Sequence, residues 1–413
     1  MPETAARRAW IRAGVAALCL AYAVVALTQA AKLDFDFEHF YLDAAYVWHH
    51  GDLPPLEGPS ARRLPFYLPG VSLLLAPLAA AGPGVAAGLW TLAQAAALAY
   101  CLFTFAAWSD RDGRRLFSNA ALTLAGALSL PALYEAARFN QLSVPVLAMI
   151  LAGVVAIRRG QAVAGGAWLG AATFLKLLPG LFFVWLLLKR QWRAALALLL
   201  AVTTLDLTPS LIVLGPQGAL ERHRQWFSHN LRGAPAGGMT DPKLREHFID
   251  HRNQSLGAVV ARLAWREHPH RVAVPLADWP LGACRIVAAC IAGGVLATLC
   301  FATRRPLARL SELEIFRELS LYALAMIVLS PLLRQYYLVW AAPALLTLAA
   351  AVMRRSVLAG AALLVWVAGM LAWMWPAARL YGATLLTLLM IGAALLCLGR
   401  RRRSSTGDVP AGR

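Results

Sequence analysis

A chain of 413 residues that is 60% hydrophobic and 15% charged leaves few side chains able to do chemistry. The densest group lies in Leu33–Gly51, where Asp34, Asp36, Glu38, His39, Asp43, His49 and His50 fall close together. Carboxylates at the start of that stretch can cap free backbone N–H groups or face a cavity. Lys176 sits between the apolar runs Ala171–Leu175 and Leu177–Val184. At a bilayer centre a lysine costs roughly 2.5–3.5 kcal/mol. At a hairpin turn near the surface it costs less, and it either meets an anion or snorkels to water. Pro179 and Gly180 suit such a turn. Arg138, Asn140 and Gln141 open one apolar segment, and Arg334, Gln335, Tyr336 and Tyr337 follow another. Asn253-Gln254-Ser255-Leu256 with Arg262 is a further polar group, which also reads as the start of a capped interfacial helix. Ionisable and amide side chains at the ends of membrane segments are individually weak signals, but several at one face predict a pocket.

Other chemistries find little support. His247 and His251 are four apart beside Glu246 and Asp250, which on a helix puts two imidazoles on one face, yet there is no HExxH and no further ligand spacing. No Walker loop, GxGxxG or GxSxG occurs, so nucleotide-driven and serine-hydrolase readings lack a motif. All six cysteines (Cys19, Cys101, Cys284, Cys290, Cys300 and Cys397) lie in apolar blocks without CxxC spacing and read as small packing residues.

The elements that must position these residues are helices. Soluble domains carry roughly 25% charged residues, and here the apolar residues come in long blocks. The pattern predicts an all-α polytopic membrane protein with about 12 spans near residues 10–31, 85–107, 118–134, 142–157, 161–175, 178–188, 194–214, 282–303, 316–333, 336–353, 357–375 and 380–398. Arg7 and Arg8 before an apolar run of about 20 residues resemble a signal peptide, but the run is longer than the 7–15 residues of a signal core, so it reads as an uncleaved first span. In Leu33–Gly51, Phe37, Phe40, Tyr41, Ala44, Ala45 and Trp48 make one helical stripe, which predicts a helix lying in the interface. The proline-broken stretch 64–82 reads as re-entrant or interfacial.

Charge then sets the orientation. With residues 1–9 and 399–413 inside, the clusters Asp110–Arg115, Arg158-Arg159, Lys189–Arg193, Arg304–Arg309, Arg354-Arg355 and Arg400–Arg403 all fall on one side. Asp34, Asp36, Arg138–Gln141, Lys176, the loop 215–281 and Ser330–Tyr337 fall on the other, in a membrane domain spanning 10–398 with outer loops 32–84 and 215–281. The net charge of +18 is thus explained by inner loops rather than by nucleic acid. The loop 215–281 is too short and too basic to be a catalytic domain, and its Gly233–Thr240 centre reads as mobile, as the tail after Arg403 reads as disordered.

In their order along the chain these motifs resemble glycosyltransferase family 87, the polyprenyl-phosphate-mannose-dependent mannosyltransferases of the GT-C superfamily. The matching pieces are Asp36-Phe-Glu-His-Phe-Tyr-Leu-Asp-Ala-Ala45 with Gly51 and Pro54-Pro55, then Tyr67-Leu-Pro69 and Ala76-Pro77. Arg158-Arg-Gly160, Ala164-Gly-Gly166, Lys176-Leu-Leu-Pro179, Lys189–Arg193, Asn253-Gln-Ser-Leu256, Arg262 and Ser330-Pro331 follow, over about residues 8–350. Two departures stand out: Asn140 precedes Gln141 where the family usually has Gly, and Arg334 with Tyr336-Tyr337 stands where it often has a Trp and a His pair.

The resemblance implies a GT-C-like helical bundle and an enzyme that moves a hexose, mannose by analogy, from a polyprenyl phosphate to an acceptor hydroxyl at the outer face of the cell membrane. It implies that Asp36, with Asp34 second, acts as the base. It makes Lys176 and Arg334 the cations facing the leaving phosphate, and Gln141, Asn253 and Tyr336 the groups that orient sugar or phosphate. The implied partners are the lipid-linked donor, a glycolipid or glycan acceptor and membrane lipids, with no metal or other cofactor. Two alternatives are a transporter or flippase of lipid-linked sugar and a non-catalytic lipid-sugar binder. The absence of repeats or of an ionisable pair at mid-membrane depth weighs against transport.

Overall fold

The computed structural model describes residues 5–33, 35–55, 67–110, 112–228, 230, 246 and 248–405. Helices dominate it, and each apolar segment of the sequence carries one. The first are α1 (Ala5–Ala30), α2 (Phe35–His50), α3 (Pro69–Ala80), α4 (Pro83–Ala107) and α5 (Asn119–Arg138). Next come α6 (Ser143–Arg158), α7 (Ala162–Leu175), α8 (Leu181–Leu188) and α9 (Trp192–Phe227). The remainder are α10 (Leu256–Ala264), α11 (Leu281–Ala302), α12 (Glu312–Val328), α13 (Ala342–Val352), α14 (Val357–Ala372), α15 (Pro376–Leu380) and α16 (Ala383–Ser405). Among the described residues six helices are long and apolar enough to cross a membrane, and the other apolar ones are shorter. The protein is a multi-pass, all-α membrane protein.

The chain divides into two compact units. One holds residues up to Ala107, Ala132–Phe248 and Gln335–Val339; the other holds Trp108–Pro131, Ile249–Arg334 and Trp340 onward.

In the first unit, α6, α7 and α9 pack through small residues, as membrane helices do when backbones approach closely. A Cβ on Gly166 would lie 2.1 Å from the Ala194 carbonyl oxygen, and one on Gly170 would lie 2.6 Å from the Leu198 oxygen. Lys176 caps the C-terminal end of α7 in an extended conformation, and a 3₁₀ turn at Leu178–Gly180 leads into α8. The two short helices expected around a Lys176–Pro179 turn are therefore present. In α9, Gly215 takes φ +67°, and Pro216 follows, so the helix bends there and continues to Phe227. Much of the early part of the expected loop 215–281 is thus helical, and α10 is helical within it. Gly233–Thr240 lies outside the described residues.

Several expectations need correction. The buried stripe of α2 is Phe37, Phe40, Ala44 and Val47, while Trp48 is 52% exposed. At 100° per residue Trp48 stays near the Phe37 side of the wheel, so the period does not exclude it; packing of Val47 with Leu53, Leu73 and Ala76 sets the buried face one residue earlier. The segment read as 316–333 begins earlier, at Glu312, because Ser311 and Glu314 form a capping box, and it ends at Val328. The segment read as 336–353 starts with a 3₁₀ stretch over Gln335–Ala341. The segment read as 380–398 continues as helix to Ser405, two residues into the tail expected to be disordered after Arg403, arginine being a good helix former. Within 64–82, α3 has 12 residues, about 18 Å at 1.5 Å per residue, well short of a hydrocarbon core of about 30 Å.

The second unit is built on α12, whose residues from Leu319 to Val328 are buried along the whole run. Phe316 meets Trp108 edge-on at 4.8 Å and Phe117 at 4.7 Å. Trp366 of α14 donates its indole N–H to the Leu128 carbonyl at 3.0 Å.

Because Gly166 leaves no room for a side chain, Gly166→Ala should force α7 and α9 apart. A loss of about 1–3 kcal/mol is expected, read as a lower melting temperature of the detergent-solubilised protein, whereas Gly126→Ala, which meets open space, should melt like the native chain.

Candidate active site

The site in the first unit starts with how α5 ends. The Asn140 N–H donates to the Ala137 carbonyl and the Gln141 N–H to the Ala136 carbonyl, at 3.1 and 3.0 Å. That is a Schellman closure, whose C′ residue must be left-handed. Asn140 has φ +52°, and asparagine tolerates that region better than other residues with a Cβ. The same geometry accounts for Asn where the resembling family usually has Gly. The Asn140 amide also donates to the Ala26 carbonyl at 3.1 Å, tying the turn to α1.

Gln141 leaves this turn buried, with 2% exposure. Its Nε2 donates to Asp36 Oδ2, and its Oε1 accepts from Lys176 Nζ at 2.9 Å. The Asp36 backbone N–H donates to the Phe139 carbonyl at 3.3 Å. One turn of chain, Phe139–Gln141, therefore fixes the N-terminus of α2, its Asp36 carboxylate and the Lys176 ammonium together. Beneath it the Gln94 amide, oriented with its oxygen on the Trp90 indole N–H at 2.7 Å, donates to the Tyr22 hydroxyl and, at 3.0 Å, to the Gln141 carbonyl.

Aromatic rings enclose the group. Lys176 Nζ lies 4.3 Å from the Tyr337 ring centre and 5.6 Å from that of Tyr336. Tyr336 packs on Phe139 at 5.7 Å, and Tyr67 packs on Phe40 at 4.7 Å. Burial pushes the Lys176 amine down to about 7, against the opposing pull of the Asp36 carboxylate. Burial, with the Asp36 charge adding to it, pushes the Tyr67 phenol well above its ordinary value. A carboxylate, an amide and a cation in one apolar, aromatic-walled place can accept a proton from a hydroxyl and meet an anion.

The far end of α2 is fixed too. Arg222 forks onto the Asp52 carboxylate at 3.2 and 2.8 Å and reaches the Leu53 carbonyl at 2.9 Å. Close by in sequence, His223 Nε2 lies 3.0 Å from Asp206 Oδ2, and the Gly70 N–H donates to Asp206 Oδ1 at 2.8 Å.

The family model of glycosyltransferase family 87 matches residues 66–331, well over half of the sequence. The chain belongs to glycosyltransferase family 87. Gln141, Lys176, Asn253 and Arg262 fall within the matched residues, whereas Asp36, Arg334 and Tyr336 lie outside them. Among solved structures, ArnT from Cupriavidus metallidurans bound to undecaprenyl phosphate is distantly similar, at 17% identity over 96% of this chain and 81% of that one, with a TM-score of 0.39. No curated protein matches.

In this family-87 membrane glycosyltransferase, the first unit brings together Asp36, Gln141, Lys176 and Tyr336. Asp34 lies outside the described residues. Arg334 and Asn253 belong to the second unit and are described by their own network. Arg334 Nη1 pairs with Asp250 Oδ2 at 2.7 Å. Burial alone would raise the Asp250 carboxyl, but the Arg252 N–H and the Arg334 guanidinium outweigh it and hold it below the usual range. Asn253 Oδ1 accepts from the Ser255 and Leu333 N–H groups at 3.0 and 3.1 Å. Ser255 in turn caps α10, so the capped-helix reading of this motif is present.

Arg262 is fully buried and spends its guanidinium on backbone carbonyls, those of Asn253 at 2.8 Å and Leu380 at 3.2 Å among them. Its motif was visible in the sequence; its role as a loop clamp was not. His247 lies outside the described residues, and among the described ones no group of three or more His, Cys, Asp or Glu side chains is placed to hold a metal. Tyr337, Tyr67 and Asp52 are the neighbours that sequence reasoning left without a role. Their aromatic and charged character was the available signal, without any spacing to single them out.

Gln141→Leu keeps the volume but breaks both ends of the bridge. Hydrogen bonds to charged groups contribute about 1.5–3 kcal/mol each, so sugar transfer should fall by about 10- to 100-fold while the protein still elutes as the native species on size exclusion. Arg262→Met should act differently, stranding several carbonyls and lowering the melting temperature markedly in a thermal scan.

Proposed function

We propose that this glycosyltransferase moves a hexose, mannose by family analogy, from a polyprenyl-phosphate donor to an acceptor hydroxyl at the outer face of the cell membrane. The observation that carries the reading is the Asp36–Gln141–Lys176 bridge: a carboxylate and a cation held a single amide apart. Glycosyl transfer from a lipid phosphate needs that pairing. The acceptor oxygen must lose a proton as it attacks the anomeric carbon, and the phosphate must leave with the electron pair of the bond that breaks.

In this reading Asp36 is the base. Its carboxylate takes the acceptor proton as the new C–O bond forms, and the proton passes to solvent afterwards. A carboxylate within hydrogen-bond reach contributes roughly 10²–10⁴-fold. Gln141 donates to one carboxylate oxygen, which holds Asp36 ionised and aimed. The departing phosphate carries growing negative charge, and a fixed cation in a water-poor site stabilises it most. Lys176 supplies that charge. Arg334 is already engaged by Asp250, which makes Lys176 the stronger candidate of the two. Tyr336, packed on Phe139, orients the sugar. Attack from the side opposite the phosphate inverts the anomeric centre. The apolar faces of the spanning helices accommodate the polyprenyl tail. Basic inner loops support the orientation, with both termini cytoplasmic.

The decisive experiment compares the native chain with Asp36→Asn in membranes supplied with labelled polyprenyl-phosphate mannose. Asp36→Asn should keep donor binding and lose at least 100-fold in turnover. If the variant transfers sugar as fast as the native chain, Asp36 is not the base. If the native chain transfers from no polyprenyl-phosphate sugar yet moves one across sealed vesicles, the transport alternative replaces the enzyme.

A further inference from the structure

We propose that Tyr337 is a positioning residue for sugar transfer: its ring holds the Lys176 ammonium in the charged form and aims it at the place of the donor phosphate. The inference rests on the reading of Lys176 as the cation for that phosphate.

A lysine ammonium has three N–H donors and no acceptor. Here it is 8% exposed and hydrogen-bonded to Gln141 Oε1. Burial removes most of its hydration, so what surrounds it decides whether it keeps its proton. The Tyr337 ring centre at 4.3 Å is well inside the range of about 6 Å over which a ring face attracts a cation, and Tyr336 at 5.6 Å is near its limit. Among the other groups acting on Lys176 are the Asp36 carboxylate, which favours the charged form, and the Gln141 amide. Tyr67 stands near Asp36, Tyr336 and Tyr337 as a neutral phenol.

The ring is itself held in place. Tyr336 and Tyr337 pack at 4.9 Å, and Tyr336 packs on Phe139, the residue whose carbonyl receives the Asp36 N–H. The turn that carries Gln141 to one side of the ammonium thus also locates the rings on another. Burial lowers the Lys176 amine from its ordinary value, so its charge becomes sensitive to what surrounds it. A cation–π contact then changes its proton affinity by about two- to thirtyfold, enough to decide how much of the protein carries a cation there. A leucine of similar bulk supplies no such attraction, and a phenylalanine supplies most of it.

The test measures the amine directly, without substrate. Trace acetic anhydride labels the full-length protein in detergent across pH 5–10, and mass spectrometry follows modification of Lys176. The native midpoint should lie near 7. Tyr337→Phe should keep it, while Tyr337→Leu should lower it by about half to one pH unit, a three- to tenfold loss of proton affinity. A merely structural role would leave the midpoint unmoved in a variant that melts like the native protein, and that result overturns the proposal. Should Tyr337→Leu fail to fold, phenylalanine and a ring-fluorinated phenylalanine at position 337 decide the matter. Their shapes match, and only the fluorinated ring loses its attraction for cations, so equal midpoints overturn the proposal. A separate arm measures binding of a sugar-free polyprenyl phosphate to the native protein and to Lys176→Met. Equal binding there overturns the phosphate role of Lys176, and with it the aiming half of the proposal, while the labelling result still reports on the ring.

Discussion

The bridge from Asp36 through Gln141 to Lys176 is the interaction on which the first unit depends. Polar groups inside an apolar helix bundle find no water, so each must be satisfied by the protein. Gln141 does this for a carboxylate and an ammonium at once, with its donor end toward one and its acceptor end toward the other. The arrangement is possible because α5 stops in a left-handed Asn140, which turns the next side chain inward. Gln94, Trp90 and Tyr22 then support that turn from below. The chemistry proposed for the site therefore rests on a helix ending, and through Ala26 and Phe139 that ending is joined to α1 and α2.

The second unit solves the same problem with an arginine. Arg262 collects backbone carbonyls from Asn253 and from Leu380, far apart in sequence, and Asn253 collects N–H groups on either side. Asp250 and Arg334 form an ion pair in the same unit. These are polar residues that a sequence places in a pocket, and in the structure their atoms hold the chain together. A motif rich in amides and arginine can mark a binding surface or a backbone clamp, and only the partners of each atom separate the two.

Much of the fold was legible because it is written in hydrophobic runs, which survive any uncertainty about packing. The segments near 85–107, 142–157, 161–175 and 282–303 match helices within a few residues. Where the reading failed, a local interaction had moved a boundary: the Ser311–Glu314 box, the 3₁₀ stretch at Gln335, the arginines that extend α16. The amphipathic stripe of α2 was right in kind and wrong by one residue, since Val47 and Trp48 are both apolar and only packing chooses between them. In the candidate site, Asp36, Gln141, Lys176 and Tyr336 were singled out separately from composition and order, but their contact was not legible. It joins residues 105 and 35 apart in sequence. The pairing of Asp206 with His223 was hidden for another reason: at 17 residues it fits no helical spacing, and the bend at Gly215 alone makes it possible.

The close glycine contacts of α6, α7 and α9 have a consequence in time. Chains emerge from the ribosome at about 5–20 residues per second, and these helices are complete before the chain reaches Phe248. The close approaches at Gly153, Gly165, Gly166 and Gly170 are all made among these helices themselves, and Gln141 and Lys176 are both synthesised while most of the second unit is still unmade. The tyrosines at 336 and 337 arrive on the order of ten seconds after Lys176 at that pace. A pocket formed in that interval would lack the two rings that lie over the lysine, those of Tyr336 and Tyr337. Completion of the site is thus a late event of biosynthesis, and a chain cut short before Gln335 would lack the Tyr336 and Tyr337 rings.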